Sequence, residues 1–163
     1  MDAIIDLHPW EYERGFAVGI ARFTANWGRA DARHYDRSRM EEDRNAQAAA
    51  ALCEIAVARY VNEYAHLHVW HYTDRHRYRH LADVGDDIEV RRVRTASGVP
   101  VRRSDAGKRV FGAKLLDPEY RKVQILGFVL ADEVIKSLTK DWCYVPFARL
   151  QSFVGKGSLS EVA

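Results

Sequence analysis

A chain of 163 residues, 47% hydrophobic and 29% charged, is sized for one domain that buries roughly 70% of its unfolded surface, a balance that excludes wholesale disorder and collagen-like states. The longest apolar runs, Ala48 to Cys53 and Ile125 to Ala131, fall well short of the ~20 residues of a membrane span. Cys53 and Cys143 stand ninety positions apart, so neither a disulfide framework nor a cysteine zinc site is expected; the start from Met1 to Trp10 carries Asp2 and Asp6 without a basic segment and does not read as a signal peptide, and with a net charge of +2 the expected compartment is the reducing cytoplasm.

Pro9 suits a first helical turn, and Tyr12, Phe16, Ile20 and Phe23 recur behind it at helical spacing, so the sequence predicts an N-terminal helix over residues 9–26 that Trp27-Gly28 ends. Its aromatic stripe of Trp10, Phe16 and Phe23 reads as core or as a dimer face. Residues 29–45 are rich in Arg, Asp, Glu and His and read as an exposed, mobile connection. An alanine-rich helix follows over 46–64, with Leu52, Ile55, Ala56 and Tyr60 on one stripe. From Leu67 the period becomes two, which predicts strands near 67–72, 80–84, 88–95, 109–115 and 122–130. Asp132 is the expected N-cap of a helix over 132–139, and Tyr144-Val145 and a flexible Gly-Ser tail over 155–163 finish the chain. This order of elements describes one α/β layered domain, a central mixed sheet of residues 67–130 flanked by helices.

The charge is unevenly distributed. Between Val90 and Lys114 stand Arg91, Arg92, Arg94, Arg102, Arg103, Lys108, Arg109 and Lys114 against Asp105 alone, seven net positive charges in a short region. Such a stripe can neutralise phosphates and release their counterions, which is the footprint of a nucleic-acid binder.

The segment from Ala82 to Arg91 turns through Gly85. With Gly85-Asp86-Asp87 as a three-residue loop, Val84 lies opposite Ile88 and Asp83 opposite Glu89, which sorts apolar and acidic pairs onto separate faces. The two carboxylates then face each other and call for a cation between them. Glu54 projects from the apolar surface of the second helix, among Ala50, Ala51, Val57 and Ala58, and there it needs an arginine, a metal or a water. Alone, Glu54 fits a core salt bridge and Asp83 a turn cap. The histidines His66, His68, His71, His76 and His80 crowd a stretch that also holds Trp70, Tyr72 and Tyr78. They read as a transition-metal set or, with Arg75, Arg77 and Arg79, as a surface that touches nucleic acid.

A helix bearing a glutamate, then Asp, a hairpin and Glu-x-basic resembles the PD-(D/E)XK nuclease superfamily, here as Glu54, Asp83, Glu89, Val90 and Arg91. The whole chain also resembles small uncharacterised proteins encoded by bacteriophages. That likeness rests on the helix from Tyr12 to Arg22, the run Leu52-Cys53-Glu54-Ile55-Ala56-Val57-Ala58-Arg59, the hairpin, the strand Ile125-Leu126-Gly127-Phe128-Val129 and the close Cys143-Tyr144-Val145-Pro146. The resemblance implies a restriction-endonuclease-like fold with an N-terminal helical extension. It also implies Mg2+ or Mn2+ held by Asp83, Glu89 and the Val90 carbonyl, with Glu54 acting directly or through water, and hydrolysis of phosphodiester bonds in DNA ahead of RNA. Its compartment would be the cytoplasm of a bacterial host.

One departure stands out. Arg91 occupies the family's lysine position; it cannot act as a general base but can hold a phosphate bidentately. Lys114 is the expected substitute, while Arg92, Arg94, Arg102, Arg103, Lys108, Arg109 and Lys114 are the expected nucleic-acid contacts. Two further readings follow: a catalytically inactive nuclease-like protein that binds nucleic acid or a host partner, and a Holliday-junction resolvase, which requires a homodimer.

Overall fold

The computed structural model describes residues 3–26, 40–78, 80–94, 97–116 and 119–153. Pro9 opens helix α1 (Pro9–Ala25), and the His8 backbone N–H donates to Glu11 at 2.8 Å, tying the chain before the helix to its first turn. Gly15 and Gly19 of α1 face helix α2 (Met40–Val61). A methyl at Gly19 would stand 2.4 Å from the Ala48 backbone, and one at Gly15 2.3 Å from the Leu52 side chain, so the two helices cross nearly backbone to backbone. Ala48, Ala49, Ala51 and Leu52 are fully buried there, the small side chains permitting the approach that large ones would block.

Strands β1 (Ala3–Asp6), β5 (Lys122–Leu130), β4 (Arg109–Leu115) and β2 (Ile88–Arg92) form a four-stranded sheet in the order β1-β5-β4-β2. Its neighbours are antiparallel except for β2 and β4, which run parallel, Ile88 beside Arg109 and Val90 beside Phe111. Parallel neighbours need a crossover. Here it carries β3 (Val99–Arg102) and a turn of 3-10 helix at Arg103–Asp105, and β3 pairs with β6 (Trp142–Val145) in a separate two-stranded ribbon. The molecule is thus a mixed sheet between helices. Ile88, Val90, Phe111, Ala113, Val123 and Ile125 pack one face against α2, and Val110 and Val129 pack the other against the ribbon and the short helix α3 (Ala131–Ile135). No described helix is long and apolar enough to cross a membrane.

Helix α1 and strands β2, β4 and β5 match the sequence reading closely, while other elements correct it. Helix α2 starts at Met40, inside the expected connection, and ends at Val61; residues 29–39 of that connection and the 155–163 tail lie outside the described residues. No strand spans 67–72, because Leu67 takes a φ of +53°, which interrupts an extended run. The 80–84 segment keeps one bridging residue, Val84. Helix α3 is shorter than predicted and begins after Leu130; Asp132 does not cap it but accepts the Gly107 N–H at 2.9 Å. The aromatic stripe of α1 divides, with Phe16 tilted against Tyr12 and packed on the core and Trp10 left 59% exposed.

Candidate active site

The hairpin adopts the register that sorts its faces. Val84 and Ile88 exchange backbone hydrogen bonds of 3.1 and 3.2 Å around Gly85-Asp86-Asp87, and Gly85 takes the positive φ the turn requires. Both apolar side chains are completely buried. Beyond them the ladder changes character: the Val90 N–H donates to Asp83 Oδ2 at 2.8 Å, so a carboxylate stands where a strand carbonyl would. Val90 thus meets the acids through its N–H.

The chain leaving α2 braces this hairpin from the other side. His66 N–H donates to Asp83 O, and Gly85 N–H donates to Tyr64 O. The His66 ring lies 2.7 Å from the Gly85 carbonyl and the His68 ring 2.9 Å from that of Ala82. A carbonyl only accepts, so Nε2 carries the proton in both rings. Asp83 is therefore flanked by two anchored carbonyls.

Around it stands a network of six charges. Arg22 of α1 grips Glu54 bidentately at 2.7 and 2.8 Å and sends Nε to the His68 carbonyl. Glu89 receives Lys108 Nζ at 2.7 Å on one oxygen and Arg91 on the other, and Arg91 continues to Asp105 at 2.7 Å. Lys108 also donates to the Leu81 carbonyl. Asp83 forms no ion pair among the described residues. Burial, then the charge of Glu54, then that of Glu89, push its carboxyl up to about 8. Arg91 and Lys108 hold the Glu89 carboxyl below its ordinary value despite burial. With Asp83 protonated, Glu54, Glu89 and Asp105 balance Arg22, Arg91 and Lys108.

The structure thus brings Glu54, Asp83, Glu89, Arg91 and Val90 to one region at the outer edge of β2, with Asp83 between the two glutamates. The basic stripe is less unified. Arg94, Arg102, Arg103 and Lys114 are exposed and Arg92 is half-buried, but Lys108 is buried inside the acid network and Arg109 pairs with Asp87 at 2.6 Å. Lys114 is exposed on β4 opposite Gln124, and the lysine that reaches Glu89 is Lys108. Arg22 and Asp105 belong to the network without having been singled out. Arg22 follows Gly15 and Gly19 at the spacing of one helix face, and Asp105 is the lone acid in a basic run, signals open to a closer reading.

A hard divalent cation matches the donors in kind, because Asp83 is an oxygen donor that has no cation paired to it among the described residues. Arg91 Nε is buried with no acceptor among the described residues. As arranged, no three His, Cys, Asp or Glu side chains among the described residues are gathered for one ion. Glu89 would have to exchange part of its pairing with Arg91 or Lys108. The histidines are similarly engaged, with His66 and His68 stacked on each other at 5.1 Å. Comparison with family models, curated proteins and solved structures gives no match.

Proposed function

We propose that this protein is a metal-dependent nuclease of restriction-endonuclease-like architecture that hydrolyses phosphodiester bonds, DNA being the expected substrate. The observation that carries the reading is Asp83, a half-buried residue near Glu54 and Glu89 whose carboxyl is raised to about 8 and has no cation paired to it among the described residues. Strongly shifted acids in such company are characteristic of working sites. Asp83 and Glu89 would hold Mg2+ or Mn2+, which supplies a water of lowered pKa and neutralises phosphate charge. Glu54, kept rigid by Arg22, would orient water, and Arg91, its two terminal nitrogens on Glu89 and Asp105, would fix the position of Glu89. Lys108 stands at Glu89 in the role that the family gives to the lysine of its motif.

Incubation of the purified protein with linear, branched and single-stranded DNA tests this reading. Cutting that requires Mg2+ or Mn2+ and disappears in Asp83→Asn and Glu89→Gln supports it; inertness on every substrate with both ions overturns it.

The second reading, a nuclease-like protein that binds without cutting, draws support from the saturation of Glu54 and Glu89 by Arg22, Arg91 and Lys108. It expects salt-sensitive binding that chelators leave unchanged.

A further inference from the structure

The start of α1 and the end of α2 enclose a feature that the acid network does not use. The two helices touch at Gly15 and Gly19, against Leu52 and Ala48. Nearer the start of α1, where the bulkier Glu11, Ile55 and Arg59 take over, a cleft of about 240 Å³ opens. One wall exists because α2 ends in a left-handed residue. Asn62 has a φ of +57°, its N–H donates to Arg59 O at 3.3 Å and the Glu63 N–H to Ala58 O at 2.9 Å, the two bonds that close a helix and turn the chain back over its last turn. That turn brings Tyr64 to the cleft, and α1 brings Trp10 and Arg14, four positions apart on one helix face. Trp10 and Tyr64 are 59% and 62% exposed, each with one ring neighbour among the described residues, His8 at 6.5 Å and His66 at 5.5 Å. The charges are unequal. Glu11, 2% exposed, accepts Arg59 Nη1 at 2.8 Å, and that nitrogen also donates to Asp6 O at 2.9 Å, so Arg59 is held in place while its Nε and Nη2 have no acceptor among the described residues. Arg14 is exposed and has no ion pair or hydrogen bond among them. Glu63 serves the hairpin side, since its Oε2 would stand 3.3 Å from a methyl at Gly85 and its charge raises the pKa of Arg109. The surplus in the cleft is therefore the single positive charge of Arg14.

We propose that this cleft is a binding site for a small aromatic carboxylate, its ring covered by Trp10 and Tyr64 over a floor of Ile55 and Ala58, its carboxylate held by Arg14 and the nitrogens of Arg59 left without acceptors. The proposal is independent of the nuclease reading. Apolar walls with a few placed polar groups are the usual make-up of ligand sites, which start at about 300 Å³, so a cleft of this size suits one ring with a short acid arm. Covering two large exposed rings removes apolar area from water. A guanidinium offers a carboxylate paired N–H donors in matching geometry. Arg59 is already positioned by the buried Glu11, so little of its freedom is lost when the ligand arrives. One surplus positive charge matches a monoanion better than a phosphate dianion.

Calorimetric titration of the full chain in EDTA with phenylacetate, phenylacetamide, acetate and phenyl phosphate tests this assignment. Phenylacetate binds saturably in the low-millimolar range or tighter, the uncharged amide about tenfold more weakly, and acetate, which lacks the ring, more weakly still. Arg14→Gln, at an exposed position, abolishes the preference for acid over amide, and Trp10→Leu weakens both about fivefold. No saturation by about 10 mM, an amide bound as tightly as the acid, phenyl phosphate preferred to phenylacetate, or wild-type binding in folded Arg14→Gln or Trp10→Leu overturns the proposal. A dimer in light scattering that Trp10→Leu dissolves assigns the cleft to a second copy of the chain and overturns it as well.

Discussion

The carboxylate of Asp83 accepts the main-chain N–H of Val90 at 2.8 Å, so the side chain of one hairpin arm substitutes for the backbone of that arm. This bond favours the ionised form of Asp83, yet burial beside Glu54 and Glu89 outweighs it and raises the carboxyl to about 8. Geometry and electrostatics pull the same group in opposite directions, and the result is a carboxyl whose proton is labile near neutrality.

That conflict predicts a pH dependence of stability. A carboxyl with a folded pKa near 8 and an unfolded value near ~4 binds more protons in the folded state between those limits. Stability attributable to Asp83 is therefore full below about pH 4 and declines as pH rises towards 8, with a limiting slope of about 1.4 kcal/mol per pH unit. Asp83→Asn, which mimics the protonated acid, should unfold at a higher temperature than wild type at pH 8 and show a smaller difference at pH 5. Thermal melts of both proteins across pH 4–9 measure this; a mutant less stable than wild type at pH 8 contradicts it.

The Arg22–Glu54 pair is nearly buried, its side chains 13% and 7% exposed. Removing one partner leaves a charge in an apolar setting, so Glu54→Leu or Arg22→Met alone should cost about 3–5 kcal/mol in urea unfolding. The double variant removes both charges and should recover much of that loss, with the shortfall tracing to the His68 carbonyl that Arg22 also serves. Additive losses in a double-mutant cycle would dissociate the pair.

At Gly19 the close approach leaves no room for a methyl group. Gly19→Ala places Cβ 2.4 Å from the Ala48 backbone, where yielding requires the helices to separate. The expected destabilisation is about 1–3 kcal/mol despite the gain in helix propensity, whereas Gly107→Ala meets no atom within 4 Å and is penalised only through its φ of +78°. Urea midpoints of the two variants distinguish clash from backbone strain.

Lys108 and Arg91 both hold Glu89, but they differ in what a substitution leaves behind. Under the proposed chemistry, Lys108→Arg keeps a charge and loses the compact ammonium, and Arg91→Lys loses the fork that reaches Asp105. Metal-dependent cutting should fall at least tenfold in either variant, and melting should drop further for Arg91→Lys because Asp105 loses its ion pair.

The hairpin register was legible because two faces of different chemistry admit one alignment, and the need of Glu54 for a partner was legible from its apolar helix face, a need that Arg22 meets, whereas its convergence with Asp83 and Glu89 was expected from the family resemblance. Lys108 was legible as a cation but not as an internal one. It lies one residue before β4, and whether that position faces solvent or Glu89 depends on the parallel pairing of β2 with β4, which no local pattern encodes. The extended reading of 67–72 failed for a related reason: alternation of rings at Tyr64, His66, His68 and Trp70 has the period of a strand, yet Leu67 turns the backbone and only Ala65 pairs with Val84. β3 was hidden by Pro100, which is tolerated there because the ribbon has only two strands.

Asp105 adds a polar tie between the sheet and the ribbon that packs on it. One of its oxygens holds Arg91 of β2 and the other accepts the Arg102 N–H of the β3–β6 ribbon. The ribbon carries Trp142 and Tyr144 outward, edge to face and 38% and 47% exposed. Asp105 therefore ties the ribbon that presents those two rings to the guanidinium at Glu89, in addition to the apolar packing of Val99, Val101 and Val145.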